Sequence, residues 1–245
     1  ETDLMCRTAE AASSSAELTA DDVNMAHPPH RESNLTFRAF LSRVEDSGRS
    51  IGIKLDFKER RAVKPCIELL KERGWAGEGG ASRQQPLWLN ADILPGPGSS
   101  SPNAPTPLPA AEFVELCSRT CPRAVLSLGV THGPPVPGKL GYSVACAEAL
   151  LRVARSAHAP VTLALSAFHL FATAPKPRAL ILGALGERCS LTLWGECPSA
   201  AERWMRAAVV PELLYIDIKP ARRSANTYAS ILAFLRAIPG LSFIL

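Results

Sequence analysis

Long apolar runs are missing from this 245-residue chain: no stretch approaches the ~18 residues that span a bilayer, so no transmembrane helix is expected. Zinc spacing is missing too. The seven cysteines (Cys6, Cys66, Cys117, Cys121, Cys146, Cys189, Cys197) form no CxxC pair, and no second Cys/His pair completes a set with Cys117 and Cys121. An odd, scattered set reads as buried thiols rather than a disulfide framework, which points to a reducing compartment. Aromatics make up only 6%, and the basic residues behind the net charge of +4 are scattered. The densest basic group (Lys58, Arg60, Arg61, Lys64) reads as the solvated start of a helix. Without a Lys/Arg stripe interleaved with aromatics, no nucleic-acid partner is expected. Glu1 to Ala20 lacks a basic region followed by an apolar one, so no secretory signal is read there, and the absence of an initial Met leaves the natural start open.

What the chain does have is core-forming composition, 47% hydrophobic with 20% charged, and a recurring unit. Short β-rich runs at Ile51–Lys58, Leu87–Leu94, Ala124–Thr131, Val161–Phe168, Cys189–Gly195 and Leu213–Lys219 start 24 to 37 residues apart. Helical periodicity fills the gaps, at Val63–Arg73, Ala110–Arg119, Ser143–Ala157, Pro198–Ala208 and Asn226–Ala237. Strands alternating with helices predict a parallel sheet, doubly wound or closed into a barrel.

Alternation within the strands selects between those two. Lys54, Asp56 and Lys58 share one face and Ile53, Leu55 and Phe57 the other, with Trp88, Asn90 and Asp92 set against Leu87, Leu89 and Ile93 in the same way. Thr192, Trp194 and Glu196, and then Tyr215, Asp217 and Lys219, repeat the pattern. Doubly wound sheets are apolar on both faces, whereas one polar face suits a (β/α)₈ barrel whose interior leads to a site. Six strands are plain where a barrel needs eight. The first fifty residues offer one short candidate, Asp21–Ala26, so the barrel is expected to be incomplete or degenerate at its N-terminal strands. Residues 1–20, with their Ala-Ala-Ser-Ser-Ser run, are expected to be poorly ordered or degenerate, and residues 21–245 to form the barrel domain. The Pro/Gly/Ser-rich stretches Pro95–Pro109 and Thr131–Gly138 fall where loops at the C-terminal end of a barrel would lie.

Read for chemistry, Asp56 between Lys54 and Lys58 on one inward face is either a closed ion-pair network or a site for an anionic ligand with a metal. Carboxylate oxygen suits Mg²⁺ or Ca²⁺, and lysine suits a phosphate oxygen. Asn90, Asp92 and Glu196 are read as ligand-facing, and Asp217 as an ion-pair partner of Lys219 or Lys54. Trp88 and Trp194 are read as core packing. His27, held against Pro28-Pro29, has the place of a general acid/base or a metal ligand. His30 and His132 read as ordinary loop residues, and His158 and His169 as flanking helix and strand ends. A sugar-active barrel using Asp92 and Glu196 as paired carboxylates is a further alternative.

Three segments, in order, carry a resemblance: Met25-Ala26-His27-Pro28-Pro29, Gly52-Ile53-Lys54-Leu55-Asp56-Phe57-Lys58 and Trp88-Leu89-Asn90-Ala91-Asp92-Ile93-Leu94. Leu126-Ser127-Leu128-Gly129, Leu191-Thr192-Leu193-Trp194-Gly195 and Tyr215-Ile216-Asp217-Ile218 continue it. The chain from about Asp21 onward resembles the menorin family (family with sequence similarity 151). That family is in turn similar to metal-dependent glycerophosphodiester phosphodiesterases and spider-venom phospholipase D enzymes, which are (β/α)₈ barrels. The resemblance implies that His27 matches the second acid/base histidine, Asp56 the third acidic metal ligand and Lys58 the nearby lysine. Asp22 matches the second member of a Glu-x-Asp pair, whose first member is Ala20 here. The His-Ala-x-Asn-Ser opening strand is absent, and the stretch before His27 is shortened. The expectation is a phosphodiesterase-like protein that binds a phosphate-containing small molecule or lipid head group through a divalent cation, with impaired catalysis. The rival expectation is a non-catalytic interaction protein of the menorin type, with protein partners in neurons or photoreceptor maintenance. The resemblance points to the extracellular space, whereas the cysteines and the missing signal point to the cytoplasm.

Overall fold

In the computed structural model, residues 2–9, 13, 15–77, 85–136, 138–197 and 199–220 are described. Eight strands form one sheet: β1 (Thr2–Cys6), β2 (Val23–Met25), β3 (Ile53–Phe57), β4 (Leu87–Pro95), β5 (Val125–Thr131), β6 (Val161–Ser166), β7 (Cys189–Cys197) and β8 (Leu214–Pro220). Their spatial order is β2-β1-β3-β4-β5-β6-β7-β8. Every neighbour pair is parallel except β1 with β2. From β3 onward, each strand returns beside its predecessor through helical connections: α2 (Arg60–Glu72), α3 (Ala110–Thr120), α4 (Val144–Ser156), the pair α5 (Ala167–Phe171) and α6 (Pro175–Gly183), and α7 (Ser199–Ala208). A first helix, α1 (Phe37–Asp46), capped by the Thr36 hydroxyl on the Ala39 N–H at 3.2 Å, precedes β3.

All six plain strands form. The Val161–Phe168 run stops at Ser166, because that hydroxyl caps α5 by accepting from the His169 N–H. The first fifty residues hold two strands where one candidate was read. Thr2–Cys6 was missed: it has one β-branched residue, and its strand character comes from pairing with β2 and β3. The expected helix Asn226–Ala237 lies outside the described residues.

The alternation sorts the sheet into two faces. Leu55, Phe57, Leu89, Leu126, Leu128, Leu163, Leu165, Leu191 and Leu193 are nearly fully buried beneath the helices. Asp3, Asp56, Asn90, Ser127 and Thr162 fall on one rung of the other face through the ladder pairs Asp3↔Asp56, Asp56↔Asn90, Asn90↔Ser127 and Ser127↔Thr162. That polar face is concave. Trp88 on β4 and Tyr215 on β8 stand four strands apart, roughly 19 Å in a flat sheet at ~4.8 Å per strand. Their rings nevertheless meet edge to face at 4.7 Å. The sheet therefore has the strand number and curl of a barrel, an α/β half-barrel in which no ladder joins β8 to β1 or β2 among the described residues. No helix among them is long and apolar enough to cross a membrane.

Candidate functional site

Parallel strands deliver their C-terminal ends to one rim of the sheet, and the concave face beneath that rim holds the densest polar cluster. The Lys58 ammonium, just past the end of β3, lies 2.6 Å from Asp56 Oδ2 and 3.1 Å from Asp3 Oδ1. Both carboxylates are largely shielded from solvent, with side-chain exposures of 13% and 30%. Burial pushes the Asp56 carboxyl up, against the opposing pull of Lys58 and a hydrogen bond from Asn90. Burial pulls the Lys58 ammonium down, but Asp56 and Asp3 outweigh it and leave it raised. Asn90 is held in turn, since the buried Ser127 hydroxyl donates to its Oδ1 at 2.5 Å. Thr162 and Thr192 share a hydroxyl hydrogen bond of 2.8 Å further along the same face.

Asp92 stands one level higher on β4. Gly129 faces it across the β4–β5 ladder, and a Cβ there would collide with the Asp92 carboxylate. Glycine at this position leaves room for the carboxyl to lie over the strand. Burial, with repulsion from Asp56, pushes the Asp92 pKa up to about 7 despite the attraction of Lys58.

Four rings gather at the same rim. His132, directly after β5, stacks on His169 of α5 with centroids 4.4 Å apart and planes 13° apart. Trp194 of β7 meets His132 edge-on at 5.4 Å. The Ser166 N–H donates to the Tyr142 hydroxyl at 2.9 Å, and that hydroxyl lies within hydrogen-bond distance, 3.1 Å, of His132 Nε2. His169 Nδ1 lies 2.5 Å from the Leu140 carbonyl, so Nδ1 carries the proton and Nε2 its lone pair. Burial, and then His169, pull His132 down to about 3, and burial lowers His169. Both rings are therefore neutral at pH 7.

The expected site residues divide accordingly. Asp56, Lys58, Asn90 and Asp92 are brought together. Lys54 lies on the same face towards the N-terminal end of β3, and Glu196 is exposed at the far end of β7. Asp22 sits in a 3₁₀ turn (Ala20–Asp22), where its carboxylate accepts from the Thr19 N–H at 2.9 Å and the Thr19 hydroxyl at 2.8 Å. β2 runs antiparallel to β1, and His27 follows it, exposed, one residue past Ala26, whose N–H donates to the Asp3 carbonyl at 3.1 Å; its own Nδ1 lies 2.7 Å from the Pro28 carbonyl. Asp3 and the His132–His169 pair were not anticipated. Asp3 was hidden by the unread strand. His132 had one signal, its place immediately after a strand at the catalytic end of this kind of fold. Trp194, read as core, is half-buried against His132.

The donors suited to a metal are the hard oxygens of Asp3 and Asp56, already gathered around one positive centre, the Lys58 ammonium. No group of three or more His, Cys, Asp or Glu side chains converges as a ready-made cage among the described residues. Cys6, Cys66, Cys117, Cys121, Cys146 and Cys189 are free thiols, and the first four are buried.

Comparison with known proteins adds the following. Residues 10–222 match the model of the menorin N-terminal domain, a span that includes Asp56, Lys58, Asn90 and Asp92 and begins after Asp3. The human protein FAM151B is 32% identical over 171 residues, which cover 69% of this chain and 57% of that relative. The chain thus spans little more than half the length of the relative. No solved structure matches it.

Proposed function

The chain belongs to the menorin family, and from that premise we propose that its concave face binds a phosphate-containing ligand through a divalent cation. The observation that carries this reading is Lys58 between two shielded carboxylates on a curled polar sheet, below the rim where this kind of fold builds its sites. Two carboxylates and one ammonium leave a net negative charge, which favours a further cation. Mg²⁺ in particular is usually held by one or two carboxylates together with ligand phosphates and water. Asp3 and Asp56 would hold the cation, which would supply charge neutralisation at the phosphate oxygens. Lys58 then has a second anionic partner to turn to, a phosphate oxygen. Asn90, fixed by Ser127, orients Asp56, and Asp92 can hold or release a proton near pH 7. Closure of the sheet into a complete (β/α)₈ barrel is part of the same proposal.

A second reading, binding without turnover, is favoured by one observation. The histidine that the family resemblance assigns to acid/base work, His27, is exposed, and its Nδ1 lies 2.7 Å from the Pro28 carbonyl. Phosphorus NMR of a glycerophosphodiester mixed with the protein, with and without Mg²⁺, tests both readings. The expected result is Mg²⁺-dependent broadening of the diester signal that disappears in Lys58→Met. Broadening alone supports the binding reading, and a growing phosphomonoester signal supports turnover. An unbroadened signal with folded protein and Mg²⁺ present overturns the proposal.

A further inference from the structure

A cavity of about 790 Å³ lies on the other side of the same rim, between the loop after β4, the segment that leads into α4 and the junction of α5 with α6. Its lining includes none of Asp3, Asp56, Lys58, Asn90 or Asp92. The size falls within the roughly 300–1,000 Å³ of sites that take small molecules.

Its walls are preformed, because the loops touch backbone to backbone at positions where only glycine fits. A Cβ on Gly98 would meet the Gly133 and Pro134 backbone, and one on Gly133 would meet Gly98. A Cβ on Gly141 would meet the backbone of Ala172 and Thr173. Hydrogen bonds close the same seams: Gly96 N–H to the Thr131 carbonyl and Gly133 N–H to the Pro97 carbonyl, both at 3.0 Å, and Tyr142 N–H to Thr173 Oγ1 at 2.9 Å. A ligand would therefore meet a site with little ordering entropy left to lose.

The lining states the ligand's chemistry. Leu94, Ala145, Ala149 and Ala172 offer apolar surface, and the alanines keep the space open. Among the described lining residues the sole charge is Lys139, exposed at the rim, with Ser99 and Ser100 opposite on the β4 loop and no acidic residue present. One cation over an apolar floor complements a single negative charge on an apolar body. We propose that this cavity is a second binding site, for an aliphatic chain that ends in a carboxylate. The chain lies over Ala145, Ala149 and Ala172, and the carboxylate meets Lys139. Tyr142 lines the cavity and also contacts His132, so it is the wall shared with the rim cluster.

The test is fluorescence titration of the full chain with a dansyl-labelled long-chain fatty acid, displaced by unlabelled decanoate and, separately, by decanol. Saturable binding is expected, with decanoate displacing roughly two- to fivefold better than decanol, the scale of one exposed ion pair. Lys139→Ala should remove that preference, and Ala149→Phe should abolish binding. Absence of saturable binding, equal potency of acid and alcohol, or undiminished binding by folded Ala149→Phe overturns the proposal. Should Ala149→Phe fail to fold, wild-type protein decides the matter through alkylation of Cys146, which lines the cavity. Saturating decanoate is expected to slow modification at that residue several-fold, as mapped by mass spectrometry, and an unchanged rate overturns the proposal.

Discussion

Asp92 lies under the rim with Asp56 below it and Gly129 making room beside it, and burial raises its pKa to about 7. An unfolded aspartate titrates near ~4, so between ~4 and about 7 the folded chain holds a proton that the unfolded chain has released. Stability from this group is therefore complete below ~4 and is lost as pH rises through 7. Asn cannot ionise, so Asp92→Asn should gain about 2–4 kcal/mol on wild type between pH 4 and pH 8 in chelator-treated buffer, at ~1.4 kcal/mol per unit. Denaturant melts at the two pH values measure it, and parallel curves for the two proteins would refute the assignment. His132 responds in the opposite sense. Its folded value near 3 lies below the unfolded ~6.5, so the folded chain binds fewer protons in that window and loses stability as pH falls through it. The His132 ring signals in a proton NMR titration should stay flat from pH 8 to pH 5, and a midpoint near 6.5 would show that the ring is not buried as described. Sequence spacing made Asp56, Lys58, Asn90 and Asp92 legible, because period-two alternation places them on one face whatever the tertiary context. It could not reveal Asp3 or the His132–His169 stack, which depend on how distant strands come together. Asp22, which the resemblance matches to a carboxylate pair, lies in a short local turn where its carboxylate accepts from the Thr19 N–H and hydroxyl.

Among the elements, β1 is the one that local propensity conceals and packing creates. Leu4 is fully buried in the core and Cys6 with it. The Cys6 N–H donates to Glu59 Oε2 at 2.8 Å, and Glu59 is paired with Arg31 from the loop after β2. Hydrogen bonds from the Cys6 N–H to Glu59 and from Arg31 to the Cys6 carbonyl at 3.2 Å thus tie the end of β1 to this ion pair at the start of α2. Leu4→Ala should cost about 2–5 kcal/mol in a urea melt, the range for a buried leucine whose site cannot collapse. A loss below ~0.5 kcal/mol would mean that β1 is not part of the sheet. The six later strands were readable because short β-rich runs recur along the chain, and among the described residues each of the first five is followed by a helix. Their ends were readable only where a capping side chain was considered, as Ser166 shows by converting the close of the Val161–Phe168 run into α5.

At the scale of the whole molecule, a chain of net charge +4 gathers three aspartates, Asp3, Asp56 and Asp92, on one inner surface. Curling the sheet, marked by the Trp88–Tyr215 contact, shields Asp3, Asp56 and Asp92 while leaving their rim accessible to the loops. Among the described residues the sheet ends at β2 and β8, and β2 limits its own edge by being only three residues long. The (β/α) repeat and the polar concave face were legible at this scale, whereas the antiparallel pairing of β2 with β1 was not. The central claim is that Asp3 and Asp56 together form a divalent-cation site. Calorimetric titration of Mg²⁺ and Ca²⁺ into the wild type, Asp3→Asn and Asp56→Asn, with folding of each verified by circular dichroism, tests it most directly. The account predicts saturable binding in the wild type that is lost in both variants; folded wild type without binding, or an Asp56→Asn variant that binds as well as wild type, would contradict it.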